Sequence, residues 1–216
     1  MSTEKDFRDL RTDYSWGALE ETSALQNPFD QFNKWYEEYA KLDALDSTAV
    51  TISTVDSAGV PDARVVLLKE VREGNFIFYT NHNSKKGKDL KQNPNVHLLF
   101  FWPEMERQIR IKGTAIFMEK EESEIYFNKR PFESRVAAAI SPQSEVVPNR
   151  EYLEEKFFNV LKEKEENDTV EMPKQWGGVK IAPQEFEFWQ GRISRLHDRL
   201  RYLKVEGNWK IERLAP

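Results

Sequence analysis

Three arginines and a histidine fall within eight positions near the end of the chain, in Phe186-Glu-Phe-Trp-Gln-Gly-Arg192-Ile-Ser-Arg195-Leu-His197-Asp-Arg199. On a strand, residues two apart face the same way, so Arg195, His197 and Arg199 would share one side. Like charges on one face repel unless an anion lies opposite, and Phe186, Phe188 and Trp189 beside them favour a planar one. A solvated basic strand would carry the same residues. A second set, Arg64-Val-Val-Leu-Leu-Lys69, brackets four apolar residues with two cations. Alternation puts Arg64 and Lys69 on opposite faces unless a bulge or strand end intervenes, so the two would serve different anionic groups. In Tyr79-Thr-Asn-His-Asn-Ser-Lys85-Lys86 a strand ends in hydroxyl and amide residues and a helix begins near Ser84. The free N–H groups of that helix start, with two lysines, make either a phosphate seat or a capped, solvated basic helix. Finally, Tyr126 and Arg130 lie one helical turn apart, Pro131 should end the helix, and Ser134 follows. Phenol, guanidinium fork and hydroxyl suit a phosphate monoester, although a surface Tyr–Arg pair would read alike.

These side chains need a scaffold to present them. Asn27-Pro28 reads as an N-cap with proline at the first helical position, and Phe29, Phe32, Trp35, Tyr36 and Tyr39 then recur at helical spacing. From Thr48 to Met118 the pattern is that of strands: 48–56, 61–71, 75–81, 96–102 and 108–118, with turns at Ser57-Ala58-Gly59 and Glu73-Gly74 and one short helix over 84–92. Five strands at short, regular spacing predict a meander closing into a barrel. Residues 119–164 read as helical, and strands return over 179–189, 197–205 and 208–214. The expected class is α+β, mainly β, in a single domain over residues 1–216.

Composition narrows the function. The chain has 216 residues, with 39% apolar residues and a mean hydropathy of −0.73, yet 12% are aromatic, enough to fill a core with few side chains. It has no cysteine, which removes disulfides, thiolate metal sites and a cysteine nucleophile and points to a reducing cytoplasm. Its apolar runs are too short for a bilayer helix, and Met1–Phe7 lacks the apolar stretch of a signal peptide. A net charge of −5 disfavours nucleic acid as partner. The local charge is uneven: acidic residues crowd 119–124 and 151–171, basic ones 85–91 and 192–201. No dinucleotide, P-loop, metalloprotease or nucleophile-elbow motif occurs, and no two of the three histidines stand at a metal-ligand spacing. The residues alone therefore describe a barrel with basic, aromatic pockets for planar, phosphorylated ligands and no metal.

Taken together, the motifs resemble those of the pyridoxine/pyridoxamine 5′-phosphate oxidase family, homodimeric split-barrel flavoproteins, from about Leu10 to Pro216. Glu187-Phe-Trp-Gln, followed four residues later by Arg195-Leu-His-Asp-Arg199, matches the family's C-terminal pattern; RVVLLK at 64–69, YTN at 79–81, ERQ at 106–108, RP-x-x-S at 130–134 and S-x-Q-S at 141–144 stand in the family's order. The resemblance implies an FMN-binding split β-barrel with peripheral helices over 26–216, preceded by a mobile segment, residues 1–25, that closes over substrate through Arg11 and Tyr14. It implies that FMN is held by Arg64, Val65, Val66, Leu67, Leu68 and Lys69, by Tyr79 and Thr80, by Lys85 and Lys86 at its phosphate, and by Gln108. Gln143, Ser144, Trp189 and Arg199 would complete that site from the partner subunit.

The substrate phosphate would meet Lys69, Tyr126, Arg130 and Ser134. Arg195 and His197 would lie over the pyridine ring as the catalytic pair, the first clamping and the second orienting it. The implied reaction is oxidation of pyridoxamine or pyridoxine 5′-phosphate by dioxygen to pyridoxal 5′-phosphate, with hydrogen peroxide and, from the amine, ammonia. Two positions depart from the family's usual residues: Lys85 replaces a frequent arginine, exchanging a fork for a point charge, and Ala137 a frequent glycine. The rival readings are another split-barrel FMN or deazaflavin oxidoreductase, which should lack Tyr126, Arg130, Ser134, Arg195 and His197 as a set, and a non-enzymatic cofactor-binding barrel.

Overall fold

A computed structural model describes residues 13–42, 45–164 and 169–216. Its elements are α1 (Pro28–Ala40), β1 (Ala49–Val55), β2 (Pro61–Leu67), β3 (Glu70–Arg72), β4 (Asn75–Asn81), α2 (Lys85–Gln92), β5 (Asn95–Trp102), β6 (Arg107–Phe117), α3 (Lys120–Lys129), α4 (Phe132–Ile140), α5 (Arg150–Lys164), β7 (Trp176–Gln190), β8 (Asp198–Val205) and β9 (Asn208–Arg213). No helix among the described residues is long and apolar enough to cross a membrane. The contacts divide the chain into two compact units, one of residues 48–98 and 112–184, the other of residues up to 47, 99–111 and 185–216.

In the larger unit the sheet runs in the order β2-β1-β5-β6-β7-β4-β3. β4 pairs antiparallel with β7, from Phe76 opposite Ile181 to Asn81 opposite Trp176, and Phe76, Ile77 and Phe78 are all buried, so both faces of this strand are covered. β2, at the edge, alternates only between exposed and half-buried. The expected single strand over 61–71 is two: β2 pairs with β1 and β3 with β4. Between them the chain changes partners, the Leu68 N–H bonding to Thr48 O at 2.9 Å and the Lys69 N–H to Ile77 O at 2.8 Å. The expected meander is corrected as well. After β4 the chain crosses through α2 and β5 lies beside β1, while β4 receives β7.

Ser84 caps α2 by accepting from the Gly87 N–H at 3.3 Å, and Gly87 admits no side chain, because a Cβ there would stand 2.4 Å from His82 O. Residues 119–164 form three helices, the first ending before Pro131 as the sequence predicts, with a further break across 141–149. Phe127 and Val136 of the first two pack with Val170, Met172 and Trp176.

The smaller unit is built on rings. Asn27 Oδ1 accepts from the Phe29 N–H at 2.9 Å and starts α1 with Pro28, as its sequence predicts. Trp35 meets Phe188 edge-on at 5.3 Å and Tyr39 stacks on Trp102 at 4.9 Å. Burying each such ring contributes about 2–3 kcal/mol, which lets a chain poor in aliphatic residues hold a core. β8 pairs with the end of β7 and β9 with β8, both antiparallel.

Candidate active site

A cavity of about 450 Å³ opens in the larger unit, lined by the ends of β2 and β4, the start of α2, α3, α4 and the first residue of β7. Tyr79, Tyr126 and Trp176 form a nearly parallel stack in its wall: Tyr79 lies 4.1 Å from Tyr126 and 5.3 Å from Trp176, with interplanar angles of 23° and 14°. Arg130, the residue that closes α3 before Pro131, lays its guanidinium 4.9 Å above the Trp176 ring. Its Nη1 is buried and has no hydrogen-bond partner. Lys86, in the first turn of α2, is also buried, its Nζ 3.1 Å from Gln143 Oε1 and 3.4 Å from Thr80 Oγ1. Neither partner carries charge, and among the described residues no carboxylate forms an ion pair with it.

Burial depresses the pKa of both cations; nearby Arg64 adds to the effect at Lys86 and Asp62 opposes it, and Tyr126 partly opposes it at Arg130. Burial raises that of Tyr79, and Glu70, which accepts its O–H at 3.2 Å, adds to this. The phenol therefore stays protonated at neutral pH. Two desolvated cations short of counter-charge, beside a flat aromatic wall, make a seat for a planar anion.

The smaller unit holds a second cluster. Tyr14 packs edge-on against Trp189 at 5.9 Å and His197 at 5.4 Å, and Trp189 lies 4.7 Å from His197. Gly191 makes room for Tyr14, since a Cβ there would stand 2.7 Å from its ring. Burial lowers the pKa of His197 and Arg195 lowers it further, against Asp198, so the ring is mainly neutral at pH 7. The shared parity expected for Arg195, His197 and Arg199 does not hold, because β8 begins only at Asp198. Arg195 sits instead in a tight turn, where Ser194 and Arg195 adopt φ of 55° and 59° in succession, a left-handed backbone uncommon for such residues. Arg195 is exposed and forms no ion pair among the described residues. Arg199 does, donating to Glu187 Oε1 at 2.8 Å and to Ala215 O at 2.7 Å.

Of the residues singled out in the sequence, Val65, Val66, Leu67, Lys69, Tyr79, Thr80, Lys86, Tyr126, Arg130 and Gln143 line the cavity together. Gln143 lines the cavity of its own chain, its Oε1 accepting from the Thr80 hydroxyl at 3.0 Å. Ser134 lies one helical turn before the lining residues Ala137 and Ala138. Leu68 is buried, and Arg64 is held by Asp62 at 2.5 Å and Thr54 at 2.7 Å. Lys85 turns to Asp89 and Asp62, and Ser144 is exposed with φ 72°. Tyr14, Gln108, Trp189, Arg195, His197 and Arg199 belong to the smaller unit, and Arg11 lies outside the described residues. Trp176, Asn81 and Ser141 were not anticipated. The signal for Trp176 was a tryptophan before two glycines, Gly177 and Gly178, at the mouth of a strand.

A mainly-β split barrel with a stacked aromatic slot and unbalanced cations defines a class of proteins that seat flat, phosphorylated ligands. The chain belongs to the pyridoxine/pyridoxamine 5′-phosphate oxidase family of oxidoreductases: residues 37–163 match the family model for pyridoxamine 5′-phosphate oxidase and residues 176–216 the pyridoxine 5′-phosphate oxidase C-terminal dimerisation region. It is 46% identical to the pyridoxine/pyridoxamine 5′-phosphate oxidase of Gloeothece citriformis, over 99% of this chain and all of that one, and 44% identical to that of Trichormus variabilis with the same coverage. In structure it resembles PhzG from Burkholderia lata 383, solved with tetrahydrophenazine-1-carboxylic acid, at a TM-score of 0.85 and 26% identity over 92% of this chain and 98% of that one. An FMN-binding, pyridoxamine 5′-phosphate oxidase-related protein from Nostoc punctiforme shares the fold, at a TM-score of 0.72 and 14% identity over 88% of this chain and 98% of that one.

Proposed function

We propose that this protein is a cytoplasmic homodimer that uses FMN to oxidise pyridoxamine or pyridoxine 5′-phosphate with dioxygen, giving pyridoxal 5′-phosphate and hydrogen peroxide, and ammonia from the amine. The observation that carries the reading is a pair of cations in one aromatic-walled cavity, the buried Lys86, which forms no ion pair among the described residues, and the half-buried Arg130, whose Nη1 is buried and unbonded. Two phosphorylated, planar compounds supply the charge and the flat surfaces this wall lacks. FMN, when bound, supplies the acceptor for the substrate's hydride and the means of passing electrons to dioxygen.

Everything else falls to the protein. Lys86 and Thr80, with Lys85 and Arg64, hold the FMN phosphate, and the 64–69 run, Tyr79, Gln108 and Gln143 hold the rest, with Ser144, Trp189 and Arg199 of the partner subunit completing the site. Arg130, Tyr126, Ser134 and Lys69 grip the substrate phosphate; Arg130 does so through a planar fork already desolvated and aimed by its stack on Trp176. Arg195 stabilises charge developing on the pyridine ring and His197 orients that ring, with Tyr14 and Arg11 covering it. Fixing two reactants in register lowers such barriers by up to roughly 7–11 kcal/mol, so positioning is the main work of these residues.

Anaerobic mixing of the FMN-loaded protein with pyridoxamine 5′-phosphate tests the reading. The visible flavin absorbance should bleach and return on admission of air, with one hydrogen peroxide per pyridoxal 5′-phosphate. A loaded protein whose spectrum stays unchanged overturns it.

A further inference from the structure

Among the three arginines of the C-terminal basic run, Arg192 has no part in the function proposed above, yet it reaches both sides of His197. Its main-chain N–H donates to His197 Nδ1 at 3.1 Å, so the proton of the neutral ring belongs on Nε2. Its Nη1 donates to Gly17 O at 3.2 Å, and its Nε stands 3.5 Å from the carboxylate of Asp198, the residue after His197. Asp198 also accepts the Leu19 N–H at 3.0 Å and the Arg213 guanidinium at 2.8 Å, and Arg213 donates to Leu19 O at 3.1 Å. Residues 14–19, which carry Tyr14 onto the imidazole, are thus joined to the His197 segment through two guanidinium groups, those of Arg192 and Arg213, and the carboxylate of Asp198.

We propose that Arg192 is a positioning residue: it holds His197 as a neutral imidazole with its proton on Nε2 and fastens the segment bearing Tyr14 beside it. His197 then serves the substrate ring as a hydrogen-bond donor and not as a proton acceptor, an assignment that rests on the oxidase reading. The charged groups facing the imidazole agree with a neutral ring, since Arg195 outweighs Asp198 there and burial acts in the same direction. Arg192 is a poor candidate for an anion ligand itself, because its guanidinium is shared between Gly17 and Asp198.

Three measurements test this. In ¹⁵N-histidine-labelled protein, NMR should place the proton of neutral His197 on Nε2; a proton on Nδ1 overturns the proposal. In Arg192→Ala, hydrogen exchange across residues 14–19 should quicken by about tenfold, the scale of one lost charge-assisted hydrogen bond. The KM for pyridoxine 5′-phosphate should rise more than kcat falls, and Arg192→Lys should recover part of both effects. Unchanged exchange sinks the latch, and faster exchange at unchanged KM makes it merely structural and sinks the positioning role. A loaded wild-type enzyme that turns over no substrate would instead fail the oxidase reading, while exchange and tautomer still decide the case of Arg192.

Discussion

Lys86 and Arg130 in the cavity of the larger unit and the arginines below the surface of the smaller one are in opposite states. In the cavity of the larger unit, Lys86 bonds to a hydroxyl and an amide oxygen and forms no ion pair among the described residues, and one nitrogen of Arg130 has no hydrogen-bond partner. In the smaller unit the arginines below the surface are paired: Arg107 donates to Glu38 at 2.5 Å and Gln190 at 2.8 Å and lies over Trp35, and Arg199 meets Glu187; the exposed Arg213 meets both Glu21 and Asp198. A saturated cation stabilises the fold; an unsaturated one costs stability and waits for a ligand. Counting basic residues along the chain therefore does not tell a paired cation from an unpaired one. The run 192–199 is the most basic by spacing, but among the described residues only Arg195 in it lacks a carboxylate partner.

Substitutions should separate the two states. The largest effect is expected for Arg107→Ala, which strands Glu38 and Gln190 and uncovers Trp35; thermal or urea unfolding should show a loss of about 3 kcal/mol, and a loss under 1 kcal/mol would mean this pair is no sturdier than a surface one. Arg130→Ala should leave stability nearly unchanged while the KM for pyridoxine 5′-phosphate rises by about 30-fold, the range of a charge-assisted bond. If the change destabilises the protein and spares KM, Arg130 belongs with the saturated set. Lys86→Met should weaken FMN binding by about tenfold in a fluorescence titration and raise the melting temperature of the FMN-free protein, since a buried charge is removed.

The smallest effect concerns pH. His82, half-buried beside Phe117, has its pKa lowered by burial and by Lys91 against backbone bonds to Gly177 and Gly178, so below about pH 6.5 the unfolded chain takes up a proton that the folded one resists. Stability should fall as pH drops through that range, and His82→Gln should flatten the slope. An unaltered slope would place the acid sensitivity elsewhere.

What the sequence disclosed was local. The Asn27-Pro28 cap, the Glu73-Gly74 turn with both residues at positive φ, and the bounds of β4 depend on neighbours in the chain and were legible there. So was the set of cavity residues, because the 64–69, 79–86 and 126–134 motifs each carry their chemistry within a few positions. The exchange of partners at Leu68 and Lys69 was not, since it depends on where β1 and β4 lie. Nor was the pairing of Arg107 with Glu38, residues 69 apart, nor the left-handed turn at Ser194 and Arg195, which no glycine or asparagine announces.

That exchange of partners has a consequence for how such a site diversifies. Lys69 stands at a seam: its backbone is anchored by a single amide to Ile77 O, it belongs to neither ladder, and its side chain is exposed. Replacing it disturbs no strand register and empties no core. The charge this position brings to the cavity wall is thereby uncoupled from the architecture around it, and a descendant chain is free to change it without relearning how to fold.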